Sequence, residues 1–168
     1  PGCPNWLPNG KYLFITDSSE RSEDHDYTKQ GTPIKKIWLI STDGVRRRLI
    51  LNTGPGETEW SPSASPDSKQ IVYQSYRYNK DGSEVDSGIF VVNVDGSGRR
   101  LLTKKEGFPQ WSPDGSKILI EDKSDIFVIN LDGTNLKKIA AGKDSTWKPI
   151  LAKALQRLKK IAAGQDLT

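Results

Sequence analysis

The chain has one cysteine, one histidine and no methionine among its 168 residues. A single cysteine, Cys3, excludes an internal disulfide framework. A single histidine, His25, excludes a metal centre built from several histidines. Because methionine is missing altogether, we expect the sequence to be a processed chain or a piece of a longer protein, without any original targeting segment.

Apolar residues are also scarce, at 34% of the chain. No apolar run approaches the ~18 residues that a membrane-spanning helix needs, so no transmembrane segment is predicted. Glycine and proline are plentiful by contrast, with 15 and 10 copies. This composition predicts many turns between short strands rather than a helical bundle.

A segment that begins at a tryptophan is repeated along the chain. It reads NWLPNGKYLFI at 5–15, EWSPSASPDSKQIVY at 59–73 and QWSPDGSKILI at 110–120, and STWKP at 145–149 starts a fourth copy. Each of the first three copies is followed by a second apolar run that ends in Asp-Gly. Such a period predicts a repeat architecture. The repeated residues are Trp6, Trp60, Trp111 and Trp147, with Asp43 and Gly44, Asp95 and Gly96, and Asp132 and Gly133.

The spacing between copies is nearly constant. From the glycine of each Asp-Gly pair to the next tryptophan there are 16, 15 and 14 residues, whereas the interior of each repeat varies in length. A structural unit behaves in this way when one internal loop can lengthen without disturbing the packing. The variable segment is therefore predicted to be a loop on a constant scaffold.

Each repeat predicts four short strands. The tryptophan segment is the first, and a turn such as Pro113, Asp114 and Gly115 leads into an apolar second strand. The third strand is apolar at nearly every position, which predicts burial on both faces. Asp-Gly then marks a tight hairpin into a fourth strand with paired Arg and Lys residues, as on an outermost edge strand. Because the basic pairs have this structural explanation, nucleic acid is not the expected partner.

Antiparallel units of four strands, repeated about every 40–50 residues, are typical of β-propeller blades. The segments WSPDGSKILI at 111–120 and IFVINLDGTNLKKI at 126–139 resemble the PD40 (WD40-like) repeats of the TolB-like β-propeller family. The resemblance covers residues 4–149 and is weaker in the first two repeats. It implies an all-β fold, a partial β-propeller, in which each tryptophan packs between neighbouring blades. About three four-stranded antiparallel blades are expected, at 4–54, 55–105 and 106–144, with the start of a fourth at 145–149.

The C-terminal tail at 150–168 departs from this pattern. Its apolar residues recur at helical spacing, which favours a short amphipathic helix. However, LKKIAAGQD at 158–166 nearly duplicates LKKIAAGKD at 136–144, where a fourth strand is predicted. The tail is therefore either a helix or the remnant of a blade. Because TolB-like rings have about six blades, the open ends call for a longer protein, a second copy that completes the ring, or a cap formed by the tail.

In a propeller, the loops between second and third strands lie on one face, called here the long-loop face. Two of these loops are lengthened in this chain, at 16–33 and 75–88, and long loops on a rigid scaffold predict a binding surface. The first loop is interpreted as a cation site, as an acidic docking surface or as a solvated loop, and the solvated loop is favoured because the spacing matches no metal-ligand signature. Two tyrosines in the second loop predict either an anchor for a peptide or an extension of the hairpin stem. The candidate binding residues are Asp17, Glu20, Asp24, His25, Asp26, Tyr76, Arg77, Tyr78, Asp81 and Asp86.

The sequence carries no enzyme signature. It has no Gly-x-Ser-x-Gly elbow and no phosphate-binding loop, and the propeller-type pectin lyases that the repeats also resemble use several metal ligands. We therefore expect a non-catalytic scaffold that binds a protein or peptide without a cofactor. The resemblance implies an extracytoplasmic or periplasmic location. The alternatives are an accessory propeller of a larger hydrolase, such as a prolyl-oligopeptidase-like peptidase, and a self-assembling partial propeller.

Overall fold

The computed structural model describes residues 4–17, 35–51, 53, 56–79, 81–123 and 125–141. These ranges contain twelve strands and no helix. The strands are β1 Asn5–Trp6, β2 Tyr12–Asp17, β3 Lys36–Ser41, β4 Arg47–Leu49, β5 Glu57–Ala64, β6 Gln70–Tyr78, β7 Glu84–Asn93, β8 Arg100–Thr103, β9 Phe108–Trp111, β10 Lys117–Asp122, β11 Asp125–Asn130 and β12 Lys137–Ala141.

The strands form three four-stranded antiparallel sheets, each made of four consecutive strands in chain order. The predicted all-β class is confirmed, and three such sheets in succession are the arrangement of propeller blades. Within the described residues β4, β8 and β12 each pair with one strand only, so the basic fourth strands are outermost, as predicted. Trp147, the fourth blade start at 145–149 and the tail at 150–168 lie outside the described residues.

The turns follow from local chemistry. At the Pro-Asp-Gly turn of the third sheet, the Gly115 amide donates to the Ser112 carbonyl at 2.9 Å, and the Asp114 carboxylate accepts from the Ser116 amide at 3.0 Å. At the hairpin between β7 and β8, Gly96 has a φ of +91°, a conformation that glycine adopts without steric cost. Asp-Gly therefore acts as the predicted hairpin turn.

Two apolar cores join the three sheets. Alternate residues of the middle sheet point to opposite neighbours, as the pleat of a strand requires. Ile71 and Tyr73 pack in the core shared with the first sheet, whereas Val72 packs in the core shared with the third. Strand β7 is likewise buried on both faces, through Val91 in one core and Val92 in the other.

The repeated tryptophans differ in burial. Trp111 packs against the core between the second and third sheets, as predicted. Trp60 is partly buried, and the Lys35 ammonium lies 3.6 Å from the centroid of its ring. Trp6 is 63% exposed, so the prediction that it packs between blades is wrong for the described residues. The physical reason is its position in the first sheet, where no preceding sheet among the described residues covers it.

Arginines of the outer strands connect neighbouring sheets. Arg48 donates to the carbonyl oxygens of Val94 at 2.8 Å and Asp95 at 3.2 Å in the turn of the second sheet. Arg100 donates in the same way to the Leu131 carbonyl of the third sheet at 2.6 Å. These basic residues therefore fix the spacing of the sheets in addition to marking an edge.

Candidate functional site

The second lengthened loop is an extension of the β6–β7 ladder, called here the tyrosine hairpin (residues 75–88). Tyr76 pairs with Ser87 and Tyr78 with Glu84, with a bulge between Arg77 and Tyr78. Strands β6 and β7 have 9 and 10 residues, compared with 6 in each middle strand of the other sheets. The two tyrosines therefore lie in an extended hairpin stem, and their role as an anchor for a peptide stays a prediction.

The two tyrosines stack along one side of this hairpin. Their ring centroids lie 6.3 Å apart with an angle of 20° between the ring planes. Partial burial, together with nearby Glu106, raises the pKa of Tyr76 to about 12. Burial and Glu84 also raise the pKa of Tyr78. Both hydroxyls therefore stay protonated near neutral pH and can donate hydrogen bonds beside a half-buried aromatic surface.

The charged residues of the tyrosine hairpin have internal partners. Asp86 forms an ion pair with Arg77 at 3.5 Å and a closer one with Lys104, which lowers its pKa. Asp81 closes the hairpin turn, where its carboxylate accepts from the Ser83 amide at 2.8 Å and its pKa is lowered by the Ser83 hydroxyl. The Arg77 side chain is 55% exposed, so its charge is accessible to a partner.

Only one candidate residue of the first lengthened loop is described. Asp17 ends β2 and forms an ion pair with Arg47 at 3.3 Å. Glu20, Asp24, His25 and Asp26 lie outside the described residues. Within the part of the chain that the structure describes, no cluster of three or more His, Cys, Asp and Glu side chains could hold a metal ion.

A buried polar network between the first two sheets has no counterpart in the sequence-based predictions. Glu59 is fully buried, and its carboxylate accepts from the Ile37 amide at 2.8 Å and from the Thr53 hydroxyl at 3.0 Å. Lys36 donates to the Glu57 carbonyl at 2.8 Å and to the Thr53 hydroxyl. Burial raises the pKa of Glu59 to about 7 and lowers the pKa of Lys36, although each charge opposes the shift of the other.

The network continues through the second glutamate of this segment. The Glu57 carboxylate accepts from the Ser75 hydroxyl at 2.8 Å and forms an ion pair with Arg99. Arg99 in turn donates to the Tyr73 hydroxyl at 2.8 Å, and burial raises the pKa of that hydroxyl. Both carboxylates accept internal hydrogen bonds, an arrangement suited to joining two sheets.

One feature of the sequence could have indicated this network. A polar residue precedes the tryptophan of every described repeat: Asn5, Glu59 and Gln110. In the second repeat this residue is Glu59, which is charged and is long enough to reach the Ile37 amide of the preceding sheet. The burial of Glu59 depends on that neighbour and cannot be inferred from the position alone.

Comparisons of the sequence with known proteins give matches to parts of longer proteins. The chain is 34% identical over 86 residues to the Tol-Pal system protein TolB of Rhizorhabdus wittichii, covering 44% of this chain and 19% of that protein. It is 33% identical over 84 residues to dipeptidyl-peptidase 5 of Porphyromonas endodontalis, covering 46% of this chain and 12% of that protein. The match thus spans a small part of each of these two relatives. No family model matches.

Solved structures support the fold. The putative TolB from Agrobacterium tumefaciens superposes with a TM-score of 0.56 over 84% of this chain and 62% of that chain, at 19% identity. The β-propeller domain of the Trilobed protease from Pyrococcus furiosus superposes with a TM-score of 0.50 over 81% of this chain and 40% of that chain, at 17% identity. At these identities the likeness concerns the fold alone. Separately, no helix among the described residues is long and apolar enough to cross a membrane.

Proposed function

We propose that this chain is part of a non-catalytic propeller scaffold that binds a protein or peptide through the tyrosine hairpin. The observation that carries the proposal is the stacked pair of Tyr76 and Tyr78 on a hairpin longer than those of the other sheets. Tyrosines held by a rigid strand provide contact area at little entropic cost, and they are frequent among the dominant residues of interfaces. The exposed Arg77 beside them supplies a charge for orientation.

A peptide-selection experiment tests this proposal. Random peptides displayed on phage are selected on the immobilised chain, and the affinities of the enriched peptides are measured for the wild type and for Tyr78→Ala. Loss of one central aromatic anchor is expected to weaken binding by about tenfold or more. Lys123→Ala, on the exposed turn before β11, serves as the control and is expected to leave binding unchanged. If the enriched peptides bind Tyr78→Ala as tightly as the wild type, the proposed surface is wrong.

An accessory propeller of a larger peptidase is the second candidate. The similarity to dipeptidyl-peptidase 5 favours it, because the matched segment is 12% of that protein. In that case the described blades would control access of substrate to a separate catalytic domain. Sequencing the gene beyond this chain distinguishes the two: a downstream α/β-hydrolase segment with a serine elbow supports the second candidate.

Ring completion by a second copy is proposed as the mode of assembly. Phe14 of the first sheet and Ile118 of the third face the middle sheet, so the pleat directs their neighbours Leu13 and Leu119 away from it. Within the chain, the corresponding two faces of neighbouring sheets pack against each other. The outward faces of two copies can therefore pack in the same way. An extracytoplasmic location is proposed on the resemblance to TolB.

A further inference from the structure

A groove of about 720 Å³ separates the first and second sheets on the face opposite the long loops. Its volume lies within the ~300–1,000 Å³ typical of ligand sites. Tyr12, Leu39 and Val94 form its apolar surface. Three cations line it as well: Arg46, Arg48 and Lys69.

The cations have different roles. Arg48 is held in place by hydrogen bonds to the Val94 and Asp95 carbonyls, so it is structural. Arg46 and Lys69 are exposed and form no direct ion pair among the described residues, although Asp43 and Asp67 in their own turns lie close enough to interact with them electrostatically. Two exposed cations without a direct ion pair therefore flank an apolar surface that carries a third, fixed positive charge.

The repeat supplies an internal comparison for this groove. At the interface of the second and third sheets, Arg100 occupies the position of Arg48 and makes the same kind of contact. Gly98 stands in the position of Arg46, two residues after the hairpin glycine, and Ser116 stands in the position of Lys69, directly before the second strand of its sheet. The blade scaffold thus needs the structural arginine but neither of the other two cations.

From this difference we infer that the groove binds an acidic peptide segment in which carboxylates alternate with apolar side chains. Arg46 and Lys69 lie on opposite sheets, at the two walls of the groove, and each can pair with one carboxylate. Apolar side chains between these carboxylates then cover Tyr12 and Val94. The inference concerns a different surface from the tyrosine hairpin and does not depend on the function proposed for it.

A peptide fits the groove better than a nucleic acid does. A continuous phosphate backbone requires a row of cations, whereas this groove has three and also contains the Asp95 carboxylate. Hydrogen bonds from Ser97 lower the pKa of Asp95, which is therefore negatively charged at neutral pH. The Asp95 charge repels a phosphate chain, whereas a peptide can place an apolar residue next to Asp95.

The direct test measures the affinity of a fluorescein-labelled peptide of alternating glutamate and leucine for the complete chain. The wild type is expected to bind it, and added salt is expected to weaken binding because exposed charges are screened over ~10 Å at 0.1 M. The double variant Arg46→Gln and Lys69→Ser is expected to bind about tenfold more weakly or worse. Serine at position 69 is the residue that the third sheet already carries at the equivalent position 116.

A variant with the same loss of charge elsewhere controls for net charge. Lys123→Gln with Lys137→Gln removes two exposed cations outside the groove and is expected to change affinity by less than about twofold. Equal weakening in both variants would overturn the inference, as would absence of binding by the wild type. Displacement of the peptide by a labelled oligothymidine that binds more tightly would assign the groove to nucleic acid instead.

Footprinting of the wild type makes the test independent of how the variants fold. Exposed lysines are acetylated with and without saturating peptide, and the modified sites are quantified by mass spectrometry. Protection of Lys69 with unchanged modification of Lys123 is the expected result. Equal modification of both lysines in the presence of bound peptide would place the peptide elsewhere and refute the assignment.

Discussion

Replacing Glu59 by glutamine removes one buried ionisable group from the interface between the first and second sheets. The wild-type carboxyl is fully buried, and burial raises its pKa from 4.5 to about 7. Its hydrogen bonds from the Ile37 amide and Thr53 hydroxyl, and the charge of Lys36, oppose the shift without cancelling it. Glutamine has nearly the same shape and keeps an acceptor for the Ile37 amide.

The magnitude follows from the linkage between protonation and folding. Because the folded-state pKa lies above the unfolded value, the neutral carboxyl is favoured in the folded protein. The associated stability is fully present below about pH 4.5 and is lost as the pH rises through about 7. At 1.36 kcal/mol per pKa unit, this loss amounts to roughly 3 kcal/mol by pH 8. The Glu59→Gln variant cannot ionise at this position, so it does not lose this stability as the pH rises.

Urea denaturation of both proteins at pH 5 and pH 8 measures this effect. Relative to the wild type, Glu59→Gln is expected to gain roughly 2.5 kcal/mol of unfolding free energy between the two pH values, as an upper bound. Glu84→Gln, at an exposed position of the tyrosine hairpin, is the control and is expected to change stability by less than about 0.5 kcal/mol. A stability difference between Glu59→Gln and wild type that is the same at both pH values would refute the reasoning.

Two further predictions concern the joins between sheets. Gly96→Ala is expected to destabilise the chain by roughly 2 kcal/mol or more in urea denaturation, because its φ is +91° and an added Cβ would lie 2.3 Å from the Ile50 carbonyl oxygen. Gly44→Ala, in the same turn of the first sheet with a φ of +73° and nothing within 4 Å, should cost only about 1 kcal/mol, and equal costs would contradict the clash. Light scattering after size exclusion is expected to give twice the mass of one chain, with little binding of dyes that detect exposed apolar surface. A monomer that binds such dyes strongly would rule out ring completion by a second copy.

The strands and turns could be predicted from the sequence because their causes are local. Asp-Gly sets a hairpin through backbone conformation, as at Asp95 and Gly96, and continuous apolar residues in β7 indicate burial on both faces. The near-constant spacing between repeats also predicts where each sheet begins, because it follows from the same local strands and turns. The length of the tyrosine hairpin is visible in the sequence, but only the pairing between β6 and β7 shows that its tyrosines lie in an extended stem.

The tertiary structure decided which side chains are buried and which residues meet at each site. Trp6 and Trp111 occupy the same position of the repeat, yet within the described ranges a preceding sheet packs against Trp111 and none against Trp6. Glu59 is buried because the neighbouring sheet presents the Ile37 amide to it. Arg46 and Lys69 form one groove because two sheets pack side by side. Turn chemistry acts within a few residues of the chain, whereas desolvation and charge pairing depend on groups that only the packed sheets bring together.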